Sequence, residues 1–205
     1  MIEKMTEKLL LASTSPYRKE LLSRLGLPFD ALAPRYEETP VSGLSAGELA
    51  LLHARGKALS LAAHHPGRIV IGSDQVAEVD GDIIGKPGSA ENAVLQLARM
   101  SGRTITFHTG LAVASGGRVS EACVPFRATL RSLTPREIGV YVEREMPLDC
   151  AGSFKIEGLG IALMERLEGD DFTALIGLPL IALTKLLGEA GVEVLAEGGR
   201  SGRCG

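Results

Sequence analysis

The chain has 205 residues, of which 45% are hydrophobic and 23% charged, and 22 Lys and Arg against 25 Asp and Glu leave a formal net charge of −3. This composition excludes a disordered chain and predicts one compact domain or two closely packed lobes. The balanced charge excludes the broad basic surface that binds a nucleic-acid backbone, and aromatic residues at 4% offer few platforms for base stacking. We therefore expect that nucleic acid is not a main partner.

The cysteines and the apolar runs indicate a cellular compartment. Cys123, Cys150 and Cys204 contain no C-x-x-C pair and are too few for a disulfide framework, which favours a reducing environment. The apolar run 9–12 is too short for the core of a signal peptide and has acidic residues ahead of it. No run of about 18 apolar residues offers a membrane span. We expect a cytoplasmic protein without a membrane partner.

Apolar spacing and turn-forming residues predict strands and helices that alternate along the chain. In the first half we predict strands at 9–12, 29–33, 68–72, 76–79 and 83–84, and helices at 17–25, 45–64 and 90–100. In the second half we predict strands at 104–114, 118–133, 161–167 and 192–195, and helices from 134 and at 178–189. The fold class is α/β with a mixed sheet, in one domain over 1–196 with a flexible tail at 197–205.

Short signals mark several of these boundaries. Pro16 suits a first helical turn, and Gly26 suits a helix C-terminus. Ser45 and Glu48 have the spacing of a capping box. The glycine-rich segment 149–160 lies outside the regular elements and is predicted to be a functional loop.

The segment from Ser13 to Arg18 joins the first predicted strand to the first predicted helix. Its hydroxyls, its free loop amides and the helix N-terminus favour a phosphate group, and Arg18 adds a guanidinium that can pair with two oxygens. Neither G-x-x-x-x-G-K-[ST] nor G-x-G-x-x-G occurs in the chain. An anion site and ordinary helix capping by Ser15 both explain these residues.

Asp74 follows an apolar run that ends at Gly72. We expect its carboxylate at the C-terminal end of a buried strand, where open α/β sheets bind their ligands. A carboxylate in that position can bind a metal ion or deprotonate water. The alternative is an Asx turn at the end of the strand.

Other charged residues are candidates for the same site. Lys57 and Lys86 can neutralise phosphate oxygens, and Glu37 or Glu38 can join the carboxylate of Asp74 in holding a hard divalent cation. Solvated surface charge is the alternative for each of these four residues.

Two further chemistries are not expected. The four histidines show no H-x-x-x-H spacing, which argues against a zinc site. No G-x-S-x-G elbow for a serine hydrolase occurs. Cys150 lies beside a glycine and has no signature of a nucleophile, so we interpret it as a buried structural thiol.

Together these motifs resemble, in order and spacing, the Maf-like nucleotide pyrophosphatase family over about residues 9–195. The resemblance implies an elongated, ITPase-like α/β fold with a mixed twisted sheet flanked by helices and a central cleft between two lobes. It also implies hydrolysis of nucleoside triphosphates to monophosphate and pyrophosphate with a divalent metal, often in a homodimer. The matching strings are Ala12-Ser13-Thr14-Ser15-Pro16-Tyr17-Arg18, Ile71-Gly72-Ser73-Asp74-Gln75, Gly85-Lys86-Pro87, Ser101-Gly102-Arg103, Thr109-Gly110, Cys150-Ala151-Gly152, Glu168-Gly169-Asp170 and Gly177-Leu178-Pro179.

By position, the resemblance implies a role for each candidate residue. Asp74 becomes the general base for the attacking water and, with Glu38, a ligand of Mg²⁺ or Mn²⁺. The residues around the phosphates of the nucleoside triphosphate substrate become Ser13, Ser15, Arg18, Lys57 and Lys86.

Three positions resemble the branch of the family that acts on 7-methyl-GTP rather than the dTTP/UTP branch. Tyr17 stands where the latter has Arg, Gln75 where it has Thr, and Glu157 where it has Gln. Because 7-methylguanine is cationic, an aromatic face and a carboxylate suit it. Ile156 departs from the branch, which usually has a small polar residue there.

Two alternative functions remain open on the sequence. The same cleft can belong to a nucleotide-binding regulator of cell division and septum formation, in which hydrolysis is secondary. It can also belong to a pyrophosphatase that acts broadly on modified nucleotides, including dTTP and UTP.

Overall fold

The structure, a computed structural model, describes residues 9–39 and 41–195, so Cys204 and the predicted tail 197–205 lie outside the described residues. The strands are β1 (Leu9–Ala12), β2 (Phe29–Leu32), β3 (Ile69–Val79), β4 (Asp82–Ile84), β5 (Thr104–Ser115), β6 (Arg118–Leu130) and β7 (Met164–Glu168). The α-helices are α1 (Pro16–Ser23), α2 (Ala46–Ala62), α3 (Ala90–Met100), α4 (Pro135–Glu145), α5 (Phe172–Ile176) and α6 (Leu180–Glu189).

The described strands form one mixed sheet of seven strands, with the order β2-β1-β3-β5-β6-β7 and β4 paired to β3. Strand β1 runs parallel to both β2 and β3. The pairs β3–β4, β3–β5, β5–β6 and β6–β7 are antiparallel. The predicted α/β class with a mixed sheet is confirmed.

Several predicted boundaries are also confirmed, because local chemistry marks them. The capping box of α2 forms, with the Ser45 hydroxyl accepting from the Glu48 amide and the Glu48 carboxylate accepting from the Ser45 amide. Gly26 has a φ of +67°, the left-handed conformation that follows a helix end. A capping box also opens α4 at Thr134 and Glu137.

Buried apolar residues form two large clusters at opposite ends of the paired strands β3 and β5. One contains Ile69, Ile71 and Leu111 and is covered by α1 and α6. The other contains Val79 and Ile105 and is covered by α3 and α4. The polar middle of β3 lies between these clusters, which are the two lobes of the fold.

Helix α2 packs unusually close to the middle of the sheet. A Cβ added to Gly72 would lie 2.2 Å from the Ala54 carbonyl oxygen, and one added to Gly110 would lie 2.3 Å from that of Ala50. Only glycine permits this approach of helix to strand. The contact brings the polar side chains of α2 within reach of Asp74, which shares a face of β3 with Gly72.

The predicted position of Asp74 at a strand end is wrong. Strand β3 continues through Val79, and Asp74 pairs in register with Gly110 of β5 in the middle of the sheet. Residues 73–75 are polar and interrupt the apolar pattern of β3, but their side chains have hydrogen-bond partners inside the protein. Ser73 Oγ donates to the Gly110 carbonyl at 2.9 Å, and Asp74 accepts from Lys57. The alternative of a strand-end Asx turn fails for the same reason.

The predicted strand 161–167 is only partly confirmed. Leu159–Leu163 forms a 3₁₀ helix, and the strand begins at Met164. The short helix α5 was not predicted. It is opened by Asp171, whose carboxylate accepts from the Thr173 amide at 2.9 Å.

The predicted last strand at 192–195 is wrong. Residues 192–195 pair with no strand in the described part of the chain. The Val192 amide instead donates to the Leu187 carbonyl at 2.9 Å, after Gly191 with φ +86°. This hydrogen bond belongs to the closing turn of α6. It uses the Val192 amide, which a strand would need for pairing.

Candidate active site

A cavity of about 450 Å³ lies between the two lobes and gathers nearly every predicted site residue. The predicted residues in its lining are Ser15, Tyr17, Arg18, Glu38, Lys57, Asp74, Gln75, Lys86 and Glu157. Ser13 and Glu37 are not part of this lining. The fold therefore brings together side chains that are up to 142 residues apart in sequence, from Ser15 to Glu157.

The loop from β1 to α1 is shaped by its own hydroxyls. Ser13 Oγ accepts from the Ser15 amide at 3.1 Å, and Ser15 Oγ accepts from the Arg18 amide at 3.4 Å. Helix capping is thus present, and Ser15 still faces the cavity. Ser13 is buried and contributes to the conformation of the loop.

Arg18 supplies a cation, and a hydrogen bond to the turn after α5 sets the position of its side chain. Its Nε donates to the Gly177 carbonyl at 2.8 Å, which ties α1 to the turn after α5. Burial lowers the pKa of the Arg18 guanidinium, whereas the charges of Asp74 and Glu38 raise it. A guanidinium remains protonated in proteins, so the cavity carries a fixed positive charge here.

Lys57 bridges two carboxylates at the base of the cavity. Its Nζ lies 2.6 Å from Asp74 Oδ1 and 2.6 Å from Glu38 Oε1, and the Lys57 side chain is only 9% exposed. Burial favours a higher pKa for Glu38, but the hydrogen bond and the charge of Lys57 outweigh it, and this pKa lies below its ordinary value. The charge of Lys86 acts on Glu38 in the same direction.

The structure also separates the two adjacent glutamates. Glu38 reaches the cavity and Lys57, while Glu37 does neither. Glu38 Oε2 and Asp74 Oδ2 accept no hydrogen bond from any residue in 9–39 or 41–195. Each carboxylate thus keeps one oxygen for a cation or a water molecule.

His53 is a member of this group that the sequence analysis missed. Ligand atoms of Glu38, His53 and Asp74 lie within 4.8 Å of one another, so the three side chains can hold a metal ion. The signal was the four-residue spacing between His53 and Lys57, which places both on one face of α2. A search for pairs of histidines could not find it.

Gln75 connects the sheet to α5 instead of presenting its amide nitrogen to the cavity. Its Nε2 donates to Thr109 Oγ1 at 3.1 Å and to the carbonyls of Ala174 and Leu175 at 2.8 and 3.0 Å. The Gln75 side chain therefore fixes the backbone of 174–175 against β3 and β5. Leu175 is itself part of the cavity lining.

Tyr17 and the glycine-rich segment form another part of the cavity wall. Burial raises the pKa of Tyr17, and the acidic groups of Cys150 and Glu157 nearby add to this effect. Partial burial is also the main reason that the pKa of Glu157 is raised. Ile156 is 6% exposed and packs in the core while still touching the cavity.

Cys150 lines the cavity but has the properties of a structural thiol. Burial is the largest cause of its raised pKa, so the thiol form is favoured over the reactive thiolate. The nearby Phe154 ring packs edge-on against Phe107 with centroids 5.4 Å apart, which makes this wall apolar.

Comparisons with known proteins place the chain in a class and then in a family. The Staphylococcus aureus Ham1 protein has the same general fold, with a TM-score of 0.50 and 13% identity over 89% of this chain and 98% of that one. The sequence model of the Maf-like protein family matches residues 8–190. The chain therefore belongs to the Maf-like family.

Two relatives are much more similar in sequence. A protein of Syntrophotalea carbinolica named 7-methyl-GTP pyrophosphatase is 54% identical over 193 residues, covering 92% of this chain and 98% of the relative. A protein of Pseudomonas aeruginosa with the same name is 52% identical over 188 residues, covering 91% and 98%.

Among the described residues, no helix is both long and apolar enough to cross a membrane. The expected cytoplasmic location, the homodimer, and the absence of nucleic-acid and membrane partners stay predictions.

Proposed function

We propose that this protein hydrolyses nucleoside triphosphates at the α-phosphate, with 7-methyl-GTP as the preferred substrate, and releases pyrophosphate. The observation that carries the proposal is the Lys57 bridge between Asp74 and Glu38 in a cavity that also holds Arg18 and Lys86. Relatives named 7-methyl-GTP pyrophosphatase, 54% and 52% identical to this chain, support the same activity.

Asp74 is the proposed general base. Its Oδ1 is held by Lys57, which leaves Oδ2 to accept a proton from a water molecule. The water oxygen attacks the α-phosphorus, the bond from that phosphorus to the α–β bridging oxygen breaks, and pyrophosphate departs with the electron pair. The hydrogen bond from Lys57 Nζ holds the aspartate in one orientation for this step.

The leaving group carries most of the negative charge that develops. Arg18 and Lys86 line the cavity as cations that have no carboxylate within ion-pair distance in the described part of the chain. Fixed cations that face developing charge stabilise the transition state more than the ground state. We propose that they hold the β- and γ-phosphates, with Ser15 at the N-terminus of α1.

A divalent cation, Mg²⁺ or Mn²⁺, fits the donor set of the cavity. Glu38 and Asp74 each retain an oxygen that accepts no hydrogen bond from a described residue, and carboxylate oxygens are the ligands that hard cations prefer. When bound, such a cation neutralises charge on the phosphate oxygens. We propose Glu38 and Asp74 as its protein ligands. Asp74 Oδ2 has two lone pairs, so one can bind the cation while the other accepts the proton of the attacking water.

Base selection is assigned to Tyr17 and Glu157. N7 methylation gives guanine a positive charge that GTP lacks, and a carboxylate with an aromatic face is attracted to that charge. Glu157 is an exposed residue of the cavity lining that forms no ion pair with a described residue, although the charges of Arg24 and Lys155 act on it. A cationic base supplies that missing partner.

The product and the bond that breaks test the activity. We expect 7-methyl-GTP to yield 7-methyl-GMP and pyrophosphate, measured by ion-exchange chromatography, at a higher kcat/KM than GTP, dTTP or UTP. In water labelled with ¹⁸O, the label is expected in the monophosphate, because the water attacks the α-phosphorus. Label in pyrophosphate, or orthophosphate as the first product, would contradict the proposal.

Replacing Glu157 with Gln is expected to lower kcat/KM for 7-methyl-GTP about tenfold or more, while kcat/KM for GTP changes little. The reason is that only the methylated base carries the charge that the carboxylate attracts, and about 1.4 kcal/mol corresponds to tenfold. Glu143→Gln, an exposed change on α4, is the matched control. Equal losses on the two substrates would show that Glu157 only supports the glycine-rich segment.

A further inference from the structure

The proposed function leaves three neighbouring residues without a role: Tyr36, His53 and Gly56. His53 is 6% exposed and lines the cavity, with a ring nitrogen within 4.8 Å of carboxylate oxygens of Glu38 and Asp74. A buried imidazole at that distance from two carboxylates is either a potential metal ligand or a residue of the core. The hydrogen-bond partner of its other ring nitrogen distinguishes these two roles.

That hydrogen-bond partner is the hydroxyl of Tyr36. Tyr36 Oη lies 3.0 Å from His53 Nδ1, and the two rings meet edge-on with centroids 5.8 Å apart. His53 lines the cavity and Tyr36 does not, so Tyr36 contacts the imidazole from outside the cavity lining. His53 Nε2 makes no hydrogen bond to any described residue. One nitrogen is thus occupied and the other is available.

Gly56 makes this arrangement possible. A Cβ added to Gly56 would lie 2.2 Å from Tyr36 Cε2 and 2.5 Å from Cζ, so the tyrosine ring rests on the bare backbone of α2. Any larger residue would push the ring, and with it the hydroxyl, away from His53. Three residues of one local structure therefore fix the orientation of a single imidazole.

We propose that His53 is a third protein ligand of the divalent cation, and that Tyr36 is the positioning residue that orients it. This inference rests on the proposed function, because it concerns the cation of that site. With Tyr36 Oη accepting the Nδ1 proton, the lone pair of Nε2 is free for a metal ion, the usual arrangement of a ligating histidine and its outer partner.

The donor set has a consequence for cation choice. Two carboxylate oxygens alone suit Mg²⁺. An added imidazole nitrogen favours Mn²⁺, a first-row transition-metal ion that accepts nitrogen ligands more readily than Mg²⁺ does. We therefore expect Mn²⁺ to bind this protein at least about tenfold more tightly than Mg²⁺, in the absence of nucleotide.

Direct cation binding to the full chain tests the inference without measuring turnover. Mn²⁺ is titrated into the nucleotide-free protein and free Mn²⁺ is followed by electron paramagnetic resonance, with Mg²⁺ as competitor. In the bound state, electron spin echo modulation is expected to show the ¹⁴N coupling of a directly coordinated imidazole, and this coupling is expected to disappear in His53→Leu. This spectroscopic result on the wild-type protein is independent of whether any variant folds.

Variants separate the ligand from its support. His53→Leu is expected to weaken Mn²⁺ binding about tenfold or more, to change Mg²⁺ binding much less, and to abolish the ¹⁴N signal. Tyr36→Phe and Gly56→Ala keep His53, but the first removes the hydroxyl that orients its imidazole and the second displaces it. The affinity for Mn²⁺ is therefore expected to fall about tenfold in each variant. His64 is an exposed histidine just after α2, and His64→Leu is the control.

Two results would overturn the inference. One is Mn²⁺ bound to the wild-type protein without ¹⁴N modulation and with the same affinity in His53→Leu. The other is a wild-type protein that binds no Mn²⁺ without nucleotide. Neither result contradicts the proposed hydrolysis. That proposal would be contradicted by a different measurement, the absence of pyrophosphate among the products.

Discussion

Asp74→Asn is expected to lower kcat for 7-methyl-GTP hydrolysis by about 10²- to 10⁴-fold. The substitution keeps the size of the side chain and removes the basic oxygen. Lys57 retains a carboxylate partner in Glu38, 2.6 Å from its Nζ, so the buried ammonium is not left alone and the protein is expected to fold. Steady-state kinetics and a thermal unfolding curve measure the two effects separately.

Nucleotide binding is expected to be largely retained in this variant, since Arg18, Lys86 and the loop before α1 are unchanged. Asp82→Asn in the exposed β3–β4 hairpin applies the same chemical change outside the cavity and is expected to leave kcat unaltered. Near-normal turnover in Asp74→Asn would move the general base to another residue, with Glu38 the next candidate. The same variant separates hydrolysis from nucleotide sensing in any test of a regulatory role.

Gly72→Ala is expected to destabilise the protein by about 3 kcal/mol or more and to reduce hydrolysis in the fraction that folds. The added methyl would lie 2.2 Å from the Ala54 carbonyl oxygen and 2.7 Å from the Ala58 nitrogen, both in the backbone of α2. The helix must therefore move off the sheet and carry Lys57 away from Asp74. Chemical denaturation measures the loss of unfolding free energy.

Gly139→Ala is the matched control for this substitution. Gly139 lies in the exposed part of α4, and an added Cβ meets nothing within 4 Å. Alanine is the better helix former, so this variant is expected to gain about 0.5 to 1 kcal/mol. An unfolding free energy for Gly72→Ala equal to that of the wild type would refute the close contact between α2 and β3.

Local chemistry explains which elements were predictable from the sequence. The capping boxes at Ser45 and Thr134 and the left-handed Gly26 act within a few residues, so their sequence signals are complete in themselves. The hairpin of β5 and β6 was predictable for the same reason, since Gly116 and Gly117 both have positive φ. The wrong strand at 192–195 had β-branched residues, but the closing turn of α6 takes the Val192 amide.

The site was predictable in its residue types and not in its geometry. Loop hydroxyls, lysines and acidic residues were identified from the sequence, and the resemblance to the Maf-like family gave them roles. Which of Glu37 and Glu38 faces the cavity depends on the path of a loop that carries no local signal. His53 was missed because its relevance depends on the contact of α2 with the sheet.

The sequence by itself determined the α/β class, most element boundaries, the family and the set of polar residues around Asp74. These follow from periodicity, caps and motifs, which are short-range properties. Only the tertiary structure decided that Asp74 lies in the middle of β3, that Lys57 joins it to Glu38 at 2.6 Å, and that Tyr36 holds His53. The physical reason is that each depends on how closely α2 and the loop before it pack on the sheet, and long-range packing has no local sequence signal.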